Sequence, residues 1–309
     1  MFGSPFERHM VTRKILYSLL PVFLFSIYLY GLRVIAVTGA ALLFGILTDY
    51  KIAKWRHRRP SEAVVLTCVL YSLSLPPLTP LLVVATGIVV AVALTNGIEA
   101  VFGQNLFNKA NLARFIAFIA FPAVMTSAWM VPGNFGMSFA DVVSGATPLA
   151  ILKHGGTLDL MNMIIGLRPG SIGESPILLI LLSASYLAVT GTAQWRLMLS
   201  TVLGAAALGV LLWFTGVSRP DSLQYEFMAG SLLFVSVWMV TDEQTAPKKP
   251  LSQWVYGLVI GAVTILVRTL TGIPEGTSIG LLVGNVLASL LDEMLPGPRQ
   301  DVVSGEIIR

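Results

Sequence analysis

The sequence predicts an all-α integral membrane protein with about ten transmembrane helices in two inverted five-helix repeats. Three observations predict it. Hydrophobic residues make up 55% of the chain and charged residues only 12%, with a mean hydropathy of +0.79, a balance far from that of soluble domains. Apolar runs such as 81–94 recur without the period-2 alternation of a membrane barrel, and segments of roughly 20 apolar residues are expected to be helices, which satisfy their own backbone in hydrocarbon. Five expected spans stand on each side of the polar interval 131–174, and an odd number per half turns the halves over relative to each other. The chain then divides into a first half, 1–130, an external loop, 131–174, and a second half, 175–309.

Arg8, Arg13 and Lys14 precede the first apolar run, 15–30. It reads as a retained signal anchor, because no convincing small-residue cleavage site follows it. The second span covers 34–48 and the third 63–75, where Pro76, Pro77 and Pro80 stop the helix by removing donors and restricting the residues before them. The fourth covers 81–95. A polar stretch, 103–110, leads into the fifth, 112–130, and the remaining spans are expected at 175–189, 195–215, 226–240, 251–270 and 277–291. The halves echo each other. The third span ends in Leu75-Pro76-Pro77-Leu78-Thr79-Pro80 as the eighth ends in Thr241 to Pro247, and 103–110 precedes the fifth as 272–276 precedes the tenth. Paired backbone breaks of this kind hold ligands in transport-type folds, and they are equally ordinary turn signals. Gly257 and Gly261 suit close helix packing.

Charge orients the chain. With a cytoplasmic N-terminus, Arg33, Lys153, Arg168, Arg219 and Arg268 fall outside and the other 15 of the 20 basic residues inside, led by the 51–59 loop, as the positive-inside rule requires. Both termini are then cytoplasmic and the 131–174 loop external. The net charge of +4 is read as this topology signal, and no nucleic-acid partner is expected.

Several chemistries are excluded. Cys68 is the only cysteine and lies in an apolar run, so there is no internal disulfide and no thiolate set for an iron–sulfur cluster; a buried structural thiol is expected. His9, His57 and His154 all lie in polar connections, which argues against a haem held between helices. Phosphate-binding loops, dinucleotide fingerprints and zinc-protease motifs are absent. No catalytic residue and no metal ligand is assigned, so any electrons carried here need an organic cofactor. Asp49, Glu99, Arg268 and Asp292 sit near span ends and no charge falls mid-span, leaving an ion path unmarked.

The stretch Asp141 to Ala150 carries the functional reading. On spacing alone, Ser144-Gly145-Ala146-Thr147-Pro148 reads as a turn whose hydroxyls bond nearby backbone. Asp141-x-x-Ser144-Gly145-Ala146-Thr147 also resembles the flavin-transferase target motif of the RnfD/NqrB family, membrane subunits of the Rnf and Na⁺-pumping NADH:quinone oxidoreductase complexes. Val142 stands where that motif more often has Gly or Ala. The resemblance covers almost the whole chain. Ser4-Pro5 with His9 resembles the family's N-terminal signature, and Asn105 to Ala110 an Asn-Pro-Phe-Asn-Pro-Ala motif in which Leu106 and Lys109 replace the prolines. Gly170 to Glu174, Thr241-Asp242 with Thr245 and Pro247, and Pro274-Glu275-Gly276 are also similar to family motifs, with Glu243 replacing a proline.

The resemblance implies that Thr147 carries flavin mononucleotide (FMN) through a phosphoester bond, within the context of Asp141, Ser144, Gly145 and Ala146. A threonine hydroxyl is a poor nucleophile unaided, so a separate flavin transferase must act on the loop. Ser171 to Glu174 and Pro274 to Gly276 each open a predicted helix on the outer side, where free N–H groups and the dipole suit an anion. Ser171, Gly173, Glu174, Glu275 and Gly276 are therefore expected around the flavin, whose ring gains negative charge near N1 and the C2 oxygen on reduction; equally, the two glutamates would cap their own helices. The resemblance further implies a noncovalent riboflavin toward the cytoplasm, for which Asn105 and Asn108 offer amides and Phe107 a ring. Each of these also fits an ordinary turn.

The expected protein resembles most closely the D subunit of an Rnf complex in a prokaryotic cytoplasmic (inner) membrane, linking ferredoxin, NAD⁺ and Na⁺ or H⁺ movement. Other membrane and peripheral subunits, some with iron–sulfur centres or a second flavin, would supply what this chain lacks. The alternatives are an NqrB-type subunit of an NADH:quinone oxidoreductase, a cofactor-free channel or secondary transporter, which inverted repeats suit equally well, and an anchor whose flavin site is vestigial.

Overall fold

The structure, a computed structural model, describes residues 10–133, 160–217, 230–271 and 276–296. Twelve helices lie among the described residues: α1 Met10–Tyr30, α2 Leu32–Trp55, α3 Ala63–Leu73, α4 Leu81–Phe102, α5 Lys109–Ala120, α6 Pro122–Ser127, α7 Leu160–Ile165, α8 Ile177–Val189, α9 Trp195–Phe214, α10 Leu232–Trp238, α11 Pro250–Thr271 and α12 Gly276–Met294. Six of them, α1, α2, α4, α9, α11 and α12, are long and apolar enough to cross a membrane, and α3 and α8 are shorter apolar helices.

Each expected span contains a helix, but not all are full length. The third stops at Leu73, where the Ser74 N–H closes the last turn on the Leu70 carbonyl at 3.1 Å and Pro76 and Pro77 forbid continuation. The fifth is not continuous. Pro122 drives Phe121 out of the helical region, to φ −133° and ψ 54°, and splits the run into α5 and α6. The eighth is described only from 230 onward and holds the seven-residue α10. Most of the expected 131–174 loop lies outside the described residues; its end contains α7.

The helices pack in a repeated order. In the first half α1 packs on α2 and α3, α2 on α3 and α4, and α4 on α5. In the second, α8 packs on α9 and α10, α9 on α10 and α11, and α11 on α12, and the halves meet where α1 packs on α8 and α5 on α12.

Polarity is distributed as lipid solvation demands. On α1, Tyr17, Leu20, Leu24 and Tyr28 are exposed while Ser18 and Ser26 are buried. The buried hydroxyls tie helices together: Thr38 donates to Ser72 at 3.0 Å, Ser183 to the Ser18 carbonyl at 2.7 Å, and the Trp238 indole to the Ser18 hydroxyl at 2.9 Å. Lipid tails give apolar faces no reason to associate, so such bonds and close packing hold a membrane bundle together. As expected, Gly257 and Gly261 let α11 approach α9, together with Gly204 from the opposite helix, and Cys68 is buried in the core. This is a multi-pass helical membrane protein.

Candidate functional site

Two polar regions interrupt the bundle, one at each end. At the end where α1 finishes and α2 begins, the Tyr30 end, the backbone after α3 is irregular. The Thr79 hydroxyl donates to the Pro76 carbonyl at 2.7 Å, and Arg33 donates to the carbonyls of Pro77 and Thr79 at 3.3 and 2.9 Å. The 166–176 loop lies across this broken end. Ile172 N–H donates to the Leu75 carbonyl at 2.9 Å and Gly173 N–H to the Leu73 carbonyl at 2.6 Å, so the loop takes up carbonyls that α3 leaves open. Only glycine fits at 173, since a Cβ would lie 2.8 Å from that of Leu73 and 3.0 Å from the Phe234 ring.

Arg168 is the charged centre of this loop. It is 4% exposed, and its Nη2 donates to the Glu174 carbonyl at 3.2 Å. Its Nε and Nη1 have no partner, and neither has the Ser171 hydroxyl, which is fully buried. The Tyr30 hydroxyl meets Ser175 Oγ at 3.0 Å and the Arg168 carbonyl at 3.5 Å. Burial pushes the Arg168 guanidinium below its ordinary value, with Glu174 and Tyr30 acting against that shift. Among the described residues the ion pairs are Arg13–Glu62 and Arg58–Asp49; Arg168 has none.

These contacts correct one expectation. Ser171 to Glu174 does not open a helix with free donors: the N–H groups of Ile172, Gly173 and Glu174 are all used, the last on the Ser171 carbonyl at 3.1 Å. Nor does Glu174 cap α8, whose N-cap is Pro176 and has no side-chain cap. Gly276 does begin α12, and a Cβ there would lie 2.5 Å from the Thr264 carbonyl oxygen. Arg268, 6% exposed, donates to the Thr277 hydroxyl beside it at 3.0 Å. Asp141, Ser144, Gly145, Ala146, Thr147 and Glu275 lie outside the described residues.

At the opposite end, the Asp49 end, two cavities adjoin and share Ala63, Lys109 and Gln244. The first, about 180 Å³, is lined by Thr12, Leu70, Phe107, Asn108, Trp238 and Asp242, among others. The second, about 150 Å³, is lined by Asp49, Arg58, Glu99 and Asn105. Asp49 is 3% exposed and accepts from Arg58 at 3.0 Å, and the same Arg58 nitrogen also donates to Asn96. Burial raises the Asp242 carboxyl above its usual range, against the opposing pull of the Gln244 N–H, Asn108 and Lys109.

The three residues expected to hold a second flavin thus gather here, but their amides are not equally free. Asn108 is the N-cap of α5: its Oδ1 accepts from the Asn111 N–H at 3.0 Å, and its Nδ2 donates to Asp242 at 2.9 Å. Asn105 Nδ2 donates to Gln244 at 3.0 Å while its Oδ1 is buried without a partner. Asn108→Ala is expected to lower stability by about 1–2 kcal/mol, through the lost cap and the weakened Asp242 network, read as a lower Tm in detergent.

A model of the NQR2, RnfD, RnfE family matches residues 4–299. The chain belongs to this family. Within the NQR2, RnfD, RnfE family, it is 30% identical over 294 residues to the D subunit of the proton-translocating ferredoxin:NAD(+) oxidoreductase complex of Clostridium ljungdahlii, covering 89% of this chain and 86% of that one. It is also 30% identical to the B subunit of the Na(+)-translocating NADH-quinone reductase of Azotobacter vinelandii, covering 86% of this chain and 67% of that protein. For the corresponding protein of Pseudomonas aeruginosa (strain LESB58) the identity is again 30%, over 82% of this chain and 64% of the relative. Relatives at equal identity therefore come from two kinds of ion-translocating oxidoreductase.

Two buried arginines of this NQR2, RnfD, RnfE family member carry no signal in the sequence. Arg168 reads only as one of five outer charges, and nothing local reveals that it is buried. Arg114 reads as the start of a long span, but the break at Phe121 leaves it in the middle of α5, 1% exposed and with its guanidinium 5.9 Å from the Phe118 ring centroid. A buried charge does therefore lie in mid-helix. It sits one turn from Asn111, whose amide bridges to the Ser278 carbonyl of α12 at 3.1 Å.

Proposed function

We propose that this chain is the flavin-bearing membrane subunit of an ion-translocating oxidoreductase complex, with FMN joined to Thr147 by a phosphoester bond. Family membership supports the class of complex. The observation that carries the flavin reading concerns the segment bearing Thr147, which leaves the described structure at the Tyr30 end, where Gly133 N–H donates to the Leu29 carbonyl at 3.2 Å. It re-enters at α7, which leads directly into Arg168. One end of the segment that bears Thr147 thus adjoins Leu29 and Tyr30, against which the Arg168 loop packs, and the other leads into Arg168 itself, a buried guanidinium with two unpartnered nitrogens. A flavin that becomes negative on reduction fits such a donor set.

FMN held there would take up and pass on electrons. The residues of this chain bind and orient it: Arg168 and Ser171 offer the unpartnered donors, Gly173 lets the loop lie flat on Leu73 and Phe234, and Tyr30 and Ser175 fix the loop to α1. Asp141, Ser144, Gly145 and Ala146 form the context that a flavin transferase reads, and Glu275 and Gly276, the residues at the start of α12, belong to the same proposed site. A noncovalent riboflavin at the Asp49 end fits the unpartnered Asn105 Oδ1, the Phe107 ring and the adjoining cavities.

Similarity to the D subunit of a ferredoxin:NAD(+) oxidoreductase complex supports an Rnf-type complex working between ferredoxin and NAD⁺. The equal identity to NADH-quinone reductase proteins supports an NqrB-type role as the second reading. In either, partner subunits supply the iron–sulfur centres, further flavin and nicotinamide site. The repeated packing order supports ten spans in two inverted halves, 1–130 and 175–309, around the 131–174 loop. Arg56, Arg58, Lys109, Lys248 and Lys249 gather at the Asp49 end, which supports a cytoplasmic location for it and for both termini, with Thr147 external.

Purification of the chain from its native membrane tests this reading. The expected result is co-isolation with iron–sulfur and nicotinamide-binding subunits and a flavin absorbance that bleaches on reduction. A colourless chain that isolates alone and passes a small solute in vesicles would replace this reading with the channel or transporter one.

A further inference from the structure

We infer that Arg168, assisted by the Ser171 hydroxyl, is the cationic partner of the flavin ring edge at N1 and the C2 oxygen, and that it raises the reduction potential of the bound group. The inference rests on the flavin reading above and assigns it a residue that none of the family motifs in this chain contains.

The Glu174 carboxyl favours the Arg168 charge without forming an ion pair with it, and donors in the loop stay unsatisfied. A buried guanidinium with no ion pair is strongly unfavourable unless a charge or a set of acceptors completes it. Arg168 is 4% exposed and spends one nitrogen on the Glu174 carbonyl, and its Nε and Nη1 are left over. Ser171, three residues on and fully buried, has an equally idle hydroxyl. Two side chains with unsatisfied donors in one short loop point to a missing acceptor that carries negative charge. The backbone there does not meet that need, because the N–H groups of residues 172–174 are already used.

The surroundings favour the ring over the phosphate. Ile172, Leu73 and Phe234, buried around the loop, make its surroundings apolar, and such surroundings cost a group charged only on reduction less than one charged at all times. A phosphodiester is charged at all times and keeps its water. If Arg168 served only to clamp the Glu174 carbonyl, its replacement would affect folding and leave the potential unchanged.

The test is redox titration, followed by visible absorbance, of the full-length chain flavinylated in cells and purified from membranes, with the covalent flavin counted by in-gel fluorescence. At the potential where wild-type flavin is half reduced, Arg168→Gln is expected to lower the ratio of reduced to oxidised flavin about tenfold or more, the effect of removing a neighbouring opposite charge. Arg168→Lys is expected to fall between, since an ammonium keeps the charge and loses the planar fork. Ser171→Ala is expected to give a decrease of a few-fold, about that of one hydrogen bond. Covalent loading stays at the wild-type level in all three. Arg168→Gln protein that is fully loaded and has the wild-type ratio overturns the inference and leaves the flavin reading standing. If that variant does not accumulate, wild-type ratios in both Arg168→Lys and Ser171→Ala overturn it. Wild-type chain without FMN on Thr147, matured alongside an active transferase, overturns both.

Discussion

A Thr147→Ala chain is expected to insert and pack normally while losing all covalent flavin, and electron transfer through the complex is expected to fall to background. The substitution removes one hydroxyl and leaves every apolar run intact. In the proposed attachment the phosphoester forms through that hydroxyl, so the expected effect is a complete loss. Thr147→Ser keeps a hydroxyl and is expected to retain partial loading. In-gel flavin fluorescence reads the attachment, and donor-to-acceptor turnover in membranes reads the activity. Full turnover in the alanine variant would separate the complex's activity from this residue.

Replacing Gly261 by valine is expected to have the largest structural effect, about 3 kcal/mol or more of lost stability, at the upper end of overpacking. The first added carbon alone would lie 2.0 Å from the Thr201 carbonyl oxygen and 2.5 Å from the Ala205 nitrogen. Both are backbone atoms of α9, so no rotamer change relieves the contact and α9 and α11 must move apart. The approach is reciprocal: a Cβ at Gly204 would lie 2.2 Å from the Leu258 carbonyl oxygen. Gly39 of α2 is the control. A Cβ there meets nothing within 4 Å, and Gly39→Ala is expected to be neutral or to stabilise by roughly 0.5–1 kcal/mol through helix propensity. Thermal unfolding in detergent separates the two, and equal Tm values would contradict the packing account.

Much of the fold is legible in the sequence because hydrocarbon imposes one requirement on every spanning segment. Runs such as 81–95 and 251–270 stand out by hydropathy alone, and Pro76 with Pro77 marks the end of α3. A hydropathy window averages over single residues, and this hides the break at Phe121. Pro122 sits within an apolar run and changes its mean little, although it divides the helix. Moving that boundary puts Arg114 in mid-helix, where a continuous span had left it near an end.

The site is less legible than the fold. Asn105, Phe107 and Asn108 are found through their motif and do gather at one end of the bundle, but the capping of α5 by Asn108 follows from local geometry that the motif does not express. The loop at Ser171 to Glu174 is recognisable as a special segment. Its partners, the carbonyls of Leu73 and Leu75, are about a hundred residues away in sequence, and only the fold shows that they occupy the donors expected to bind an anion. Arg168 has no motif at all. It stands out through burial with two guanidinium nitrogens unpartnered, a property that composition and spacing do not encode.

The most direct test of the central claim is peptide mapping by mass of the chain purified from its native membrane, or co-expressed with an active flavin transferase. The account predicts one FMN joined by a phosphoester to the peptide containing Thr147. An unmodified Thr147, in cells where the transferase is shown to act on another target, would contradict it.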